Sequence, residues 1–214
     1  MSEFPQFPIT ETFEKDEYGS YRNLMFMLPI LLDANVIAET GLGHGHSTRI
    51  FLESLSQLSK PRALFTFEIL PTTTDEHIGD IPTNIKQIAE NLGVQWNLIT
   101  GRSIETVMQI QKIWELFSID FLYIDSAHEY DNVLAELNTF RPFLSDKAVI
   151  MGDDVWLPYH DGSNVTYAHG KNPTDVYYAF QKFVEGHPQW KSFTFTNNDG
   201  KFNNAGKILL VRTK

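Results

Sequence analysis

Apolar residues recur along this chain at two alternating spacings. Tyr21, Leu24, Leu28 and Leu31 fall at helical spacing and lead into the bounded apolar run Val36, Ile37, Ala38, Glu39, which predicts a helix followed by a short buried strand. The rhythm then repeats. Helical spacing at Phe51, Leu55 and Leu58 precedes a strand at Ala63–Glu68, and a helix around Ile85–Leu92 precedes a strand at Trp96–Thr100. Val107, Ile110, Trp114 and Phe117 mark a further helical face before the strand Asp120–Ile124, and Tyr130, Val133, Leu137 and Phe140 another before Ala148–Met151. Five strands separated by helices predict a parallel sheet covered on both faces, a doubly wound α/β fold. The rhythm changes after Asp154. A stretch over 155–173, rich in Gly, Asn, Asp, His and Tyr, gives way to a helix at Val176, Phe180 and Phe183. Lys191–Thr196 and Lys207–Arg212 then flank turn residues with no helix between them, so the sheet is expected to close with an antiparallel hairpin, seven strands in all. Residues 1–20, with three Phe among Pro, Thr and acids, read as an N-terminal arm, and 21–214 as one domain.

Composition narrows the chemistry. The 214 residues include no cysteine, which excludes disulfides, zinc-thiolate sites, iron–sulfur clusters and a thiol nucleophile, leaving Asp, Glu, His and backbone oxygen for any metal. With 17 Lys and Arg against 27 Asp and Glu the formal charge is −10, and no basic block offers a footprint for nucleic acid or anionic lipid. A small-molecule substrate suits such a surface better. The opening Met-Ser-Glu-Phe-Pro has no positive n-region, and the longest apolar stretch, Leu24–Leu32, contains Pro29. The expectation is a soluble, cytoplasmic protein with no membrane span, and assembly into a homo-oligomer is left open.

The most informative segment is Glu39-Thr40-Gly41-Leu42-Gly43-His44-Gly45-His46-Ser47, where the first strand ends and a helix begins. Glycines there allow a sharp turn and let a ligand approach backbone N–H groups. The third glycine comes one position early for a dinucleotide fingerprint, and no lysine follows as a phosphate-binding loop requires. Glu39 would repel a pyrophosphate but suits an ammonium group. Glu68, 23 residues after Gly45 at the end of the second strand, stands where an acid accepts ribose hydroxyls. An amine and a ribose without phosphate describe S-adenosylmethionine.

These residues resemble motifs I and II of the class I S-adenosylmethionine-dependent methyltransferases, a Rossmann-like family whose sheet also ends in an antiparallel hairpin. The resemblance spans roughly Asn35 to Arg212. It implies that Gly41, Gly43 and Gly45, with Ser47 at the start of the helix, pass under the methionine moiety, that Glu39 orients it, and that Glu68 holds the ribose. By the same resemblance Gly101, Arg102 and Ser103 lie near the adenine.

A second constellation follows. Asp125 ends the fourth strand in Asp125-Ser126-Ala127-His128, and Asp153 and Asp154 end the fifth. Acids at adjacent strand tips converge on one hard cation, for which a magnesium-like ion is the expected occupant. His128, three residues beyond Asp125, is a candidate base for a hydroxyl proton at neutral pH. The pattern is similar to the macrocin and mycinamicin sugar O-methyltransferases and the cephalosporin-hydroxylase-like group. That resemblance implies Asp125, Asp153 and Asp154 as metal ligands and His128, with Asp125, as the catalytic pair. The usual Asp-Gly-Asp-His is Asp-Ser-Ala-His here, and Ser145-Asp146-Lys147 replaces the Gly-Gly before the fifth strand. The expected activity is metal-assisted O-methylation of a small-molecule hydroxyl on a sugar or natural product. Trp156, Tyr159, His160, Tyr167 and His169 are candidates for the pocket wall. The alternatives are a nicotinamide-dependent oxidoreductase, which the glycine spacing opposes, and a cofactor-binding protein without catalysis. Adenine methylation of nucleic acid is disfavoured because no Asn-Pro-Pro-Tyr-like segment follows the fourth strand.

Overall fold

The computed structural model describes residues 21–59, 62–69, 80–110, 118–155, 175–195 and 206–213. The elements run α1 (Tyr21–Leu31), β1 (Val36–Thr40), α2 (His46–Ser56), β2 (Ala63–Glu68), α3 (Ile81–Leu92), β3 (Gln95–Thr100), α4 (Ser103–Gln109), β4 (Ile119–Ile124), α5 (Tyr130–Phe140), β5 (Leu144–Val155), α6 (Asp175–Gly186), β6 (Trp190–Phe195) and β7 (Gly206–Arg212). The seven strands form one sheet in the order β3-β2-β1-β4-β5-β7-β6. β1 to β5 pair in parallel, while β7 lies antiparallel to both β5 and β6. The expected fold class is therefore present, Rossmann-like with an antiparallel closure.

Alternation along the strands builds two cores. Val36, Ala38, Leu122, Ile124 and Ile150 point to the face covered by α4, α5 and α6, where Val107, Val133, Leu137, Phe140, Phe180 and Phe183 meet them. Ile37, Phe121, Tyr123, Val149 and Met151 point the other way, onto Met25, Ile50, Phe51, Leu55 and Ile85 of α1 to α3. Phe51 packs at 5.5 Å from Phe121 and 5.3 Å from Tyr123 between ring centroids. Burying one such side chain stabilises by roughly 1.5–3 kcal/mol, so the covered sheet is a rigid floor for what lies at its edge.

The order of the strands decides where that edge opens. β1 has β2 on one side and β4 on the other, so the connections after β1 and β4 diverge and leave a crevice at the C-terminal tips. One boundary differs from expectation. The fifth strand was expected at Ala148–Met151 but runs from Leu144 to Val155, because Val155 still pairs with Gly206 of β7 across a register shift that starts at Gly152. Asp153 and Asp154 therefore lie within this irregular stretch of strand, before its tip. The N-terminal arm, Trp114, Phe117 and the aromatic and histidine candidates of the 155–173 stretch fall outside the described residues.

Candidate active site

The glycine turn is shaped by what lies against it. Gly41 has φ +89°, donates its N–H to Phe67 O at 2.8 Å, and sits so close to β4 that a Cβ would come within 2.1 Å of Asp125 O. Only glycine fits there. Gly43, at φ +47°, has nothing within 4 Å of a would-be Cβ, so this backbone is open to a ligand. Gly45 caps the N-terminus of α2 and packs on Ile85 and Ile81.

Glu39 lies beneath the turn. Its Oε1 accepts hydrogen bonds from Thr48 Oγ1 at 2.6 Å and Thr66 Oγ1 at 2.7 Å, and its Oε2 from Ser47 Oγ at 3.0 Å. The side chain is completely buried. Burial raises its pKa to about 7, against the three hydroxyls that favour the ionised form. Thr48 and Thr66 were not among the sequence candidates.

A cavity of about 510 Å³ opens beside the turn, lined by Gly41, Gly43, Glu68, Gly101, Arg102, Ser103 and Asp125 among others. That size suits a drug-sized ligand. Glu68 Oε2 accepts the N–H of Leu42 at 2.8 Å, which fixes its carboxylate at the rim. Ile69 and Phe67 supply apolar wall, and Ser103 begins α4. Open backbone at Gly43, a held carboxylate at Glu68 and this cavity fit S-adenosylmethionine. Of the expected cofactor residues, Glu39, Gly45 and Ser47 lie behind the lining.

Two polar lining residues come from outside the sequence motifs, Asn132 and Glu136 of α5. Glu136 is buried and accepts hydrogen bonds from Ser103 Oγ at 2.5 Å, Ser126 Oγ at 2.8 Å and Thr40 Oγ1 at 3.3 Å. Burial raises its pKa despite these donors. The signal was available in principle: an acid inside the apolar stripe Val133, Leu137, Phe140 needs an inward partner.

Next to the cavity the expected acids and histidine do gather. His128 Nε2 lies 3.4 Å from Asp125 Oδ1, and its Nδ1 lies 3.5 Å from Asp154 Oδ2. Asp154 reaches this position through a left-handed backbone, φ +50°, at a cost of roughly 1–2 kcal/mol. Burial alone would lower the pKa of His128, but Asp125, Asp154 and Asp153 together raise it. Asp125 is raised to about 7, by burial first and by the charge of Asp153 second. Asp154 is raised by the same two causes.

Asp153 is different. It accepts hydrogen bonds from Tyr123 OH, from Lys207 Nζ and, at 2.6 Å, from the N–H of Asp154. Lys207 and Tyr123 carried no sequence signal of their own. With Asp153 engaged by an ammonium, the three acids do not fit the expected three-carboxylate magnesium site, and no group of metal-binding side chains assembles among the described residues.

No curated protein matches the chain in sequence. Several solved structures share its fold. An O-methyltransferase from Bacillus cereus, solved with S-adenosylhomocysteine, is 20% identical with a TM-score of 0.65 over 97% of this chain and 84% of that one. TomG, the O-methyltransferase of tomaymycin synthesis from Streptomyces achromogenes, is 19% identical with a TM-score of 0.61 over 90% of this chain and 79% of that one. A TDP-rhamnose 3'-O-methyltransferase of calicheamicin biosynthesis is 18% identical with a TM-score of 0.60, over 97% and 88%. The family model described as "Methyltransferase domain" matches residues 38–155, from the first strand through the acid cluster. With more than half of the chain matched and the glycine turn, the strand-end acid and the antiparallel closure all in place, this chain belongs to the methyltransferase-domain family and is a class I S-adenosylmethionine-dependent methyltransferase.

Proposed function

We propose that the chain methylates the hydroxyl of a small molecule, a sugar or a natural product, with His128 as the proton acceptor. The observation that carries this reading is the position of His128 between two carboxylates, next to a cavity that fits the cofactor. Gly41 and Gly43 leave backbone accessible to the methionine moiety, Glu68 is aimed at the ribose, and Gly101, Arg102 and Ser103 border the adenine region. Glu39 and Ser47 act from behind the turn, holding its shape. When bound, S-adenosylmethionine supplies an electrophilic methyl on a sulfonium, whose C–S electron pair returns to sulfur as the new C–O bond forms.

The protein's part is to place the hydroxyl and take its proton. An imidazole facing two carboxylates gains stability when it becomes imidazolium, the logic of an oriented base. Asp125 fills that role at the buried Nε2, which leaves Nδ1, on the side of Asp154, to take the hydroxyl proton. Holding the hydroxyl in line with the methyl supplies much of the rate. The magnesium ion expected at Asp125, Asp153 and Asp154 has no part in this reading, because Asp153 already has its counter-charge. The acidic charge of −10 supports a small or neutral acceptor.

Two measurements test it. Titration calorimetry should show S-adenosylhomocysteine binding, weakened about 10- to 100-fold by Glu68→Ala, the loss of charged hydrogen bonds to a diol. With an acceptor found from a panel of hydroxylated compounds, His128→Ala should lower kcat about 10²- to 10⁴-fold and leave cofactor affinity nearly unchanged. The wild-type rate should rise with pH through the raised pKa of His128, as the imidazole loses its proton. Unchanged kcat in His128→Ala would remove the histidine from the chemistry, and absence of binding would remove the reading altogether.

A further inference from the structure

Lys207 is a buried lysine on β7, with 3% of its surface exposed. A buried ammonium without compensation costs several kcal/mol, so its surroundings ought to show what it is there for. They form a dedicated socket. Its Nζ pairs with Asp153, approaches Tyr123 OH at 3.4 Å, and lies 5.9 Å from the Tyr123 ring centroid and 5.7 Å from that of Tyr21. Four elements contribute: α1, β4, β5 and β7. The register explains why this position is reached. Gly152 pairs with Ile208 and Val155 with Gly206, so the irregular stretch at Asp153 and Asp154 lies beside Lys207 on the neighbouring strand.

The charge arithmetic of the cluster gives the lysine its meaning. Asp125, Asp153 and Asp154 crowd one end of the sheet, and like charges at that spacing need a cation or protons among them. Lys207 provides one positive charge, and its field also reaches Asp125 and Asp154, favouring their ionised forms. A divalent ion using Asp153 as a ligand would have to displace the ammonium and meet a second positive charge a few ångströms away. Carboxylate oxygens already accepting from Tyr123 OH, Lys207 Nζ and the Asp154 N–H are poor donors to a metal that demands several well-placed oxygens.

We infer that Lys207 is the resident cation of this site, built into β7 where a divalent ion would otherwise neutralise the three acids, and that the acid cluster holds its geometry without a metal. Lys207 is thus a positioning residue: it acts through Asp153, which fixes the N–H of Asp154, whose carboxylate faces His128. The inference rests on the proposed methyl transfer only for the reaction it serves. Its test reads metal binding, so the two readings fail separately.

The experiment is a titration of the full chain, loaded with S-adenosylhomocysteine, with Mn²⁺ followed by electron paramagnetic resonance. The wild-type protein is expected to bind no Mn²⁺ tighter than about 1 mM. Lys207→Gln, which removes the charge and keeps a hydrogen-bond donor, should bind one Mn²⁺ at least about tenfold more tightly than wild type, and adding Asp153→Asn should abolish that gain. Lys207→Met serves as the second variant where Lys207→Gln does not fold, and the wild-type titration decides by itself where neither does. One Mn²⁺ bound by the wild-type protein tighter than about 1 mM would overturn the inference. So would a folded Lys207 variant that binds Mn²⁺ no better than wild type.

Discussion

Glu39 shows how little a residue's type says until its contacts are known. At the end of a strand before a glycine turn, it reads as a partner for an amine, and the chain has 27 acids from which such partners are drawn. In the fold its carboxylate is buried under the turn and held by Ser47, Thr48 and Thr66. A carboxyl moved from an ordinary pKa of 4.5 to about 7 resists ionisation, so the native state is favoured below pH 4.5 and loses that advantage as pH rises to 7. Glu39→Gln keeps the shape and removes the titration. Thermal melts should show the variant gaining stability over wild type as pH rises, to about 3 kcal/mol near pH 8, with the difference shrinking toward pH 5. A pH-independent difference would mean that the wild-type carboxyl does not titrate in this range.

The turn and strand ends make a second lesson, at the level of elements. The spacing of Gly41, Gly43 and Gly45 was plain in the chain, yet the glycines differ in kind. Gly41 is required by β4, since a Cβ there meets Asp125 O at 2.1 Å, whereas Gly43 faces open space. Gly41→Ala should therefore displace the β1 and β4 tips from one another, destabilise the protein and abolish cofactor binding. Gly43→Ala should fold with a loss of about 1 kcal/mol for its positive φ and weaken S-adenosylhomocysteine binding without abolishing it. Denaturant unfolding and calorimetry on both variants check the contrast. The fifth strand carries the same message: apolar periodicity marked Ala148–Met151, but pairing with β7 prolongs it to Val155. Pairing between strands 50 residues apart leaves no trace in local spacing.

At the scale of the molecule, the site is an acidic edge on a rigid sheet. Glu39, Asp125, Glu136 and Asp154 all have raised pKa values, chiefly through burial, and His128 is raised by its acids. Every one of these shifts has the same sign for stability. Each group contributes most below its unfolded value, near 4 for the carboxyls and 6.5 for the histidine, and loses that contribution as pH rises through its folded value. Stability should thus fall from about pH 4.5 to about pH 7, as a lower melting temperature at the neutral end. A melting temperature that rises across this interval would mean that other titrating groups outweigh the site.

Local chemistry carried much of this protein on its own. The alternation of apolar runs was enough for the parallel sheet, the turn residues near the end for the antiparallel closure, and the glycine spacing with Glu39 and Glu68 for the cofactor, because each depends on neighbours a few residues apart. The candidates Asp125, His128 and Asp154 stood out for the same reason, as an acid and a histidine three residues apart just after one apolar run and an acidic pair just after another. Tertiary structure decided the rest. Glu136 lines the cavity only because the fold brings α5 up to Thr40, Ser103 and Ser126 of three other segments, and Lys207 meets Asp153 only because β7 inserts between β5 and β6. An acid and a lysine 54 residues apart look like ordinary surface charges in a sequence. Burial, which no spacing encodes, is what turns them into one neutralised pair and gives the acid cluster its cation.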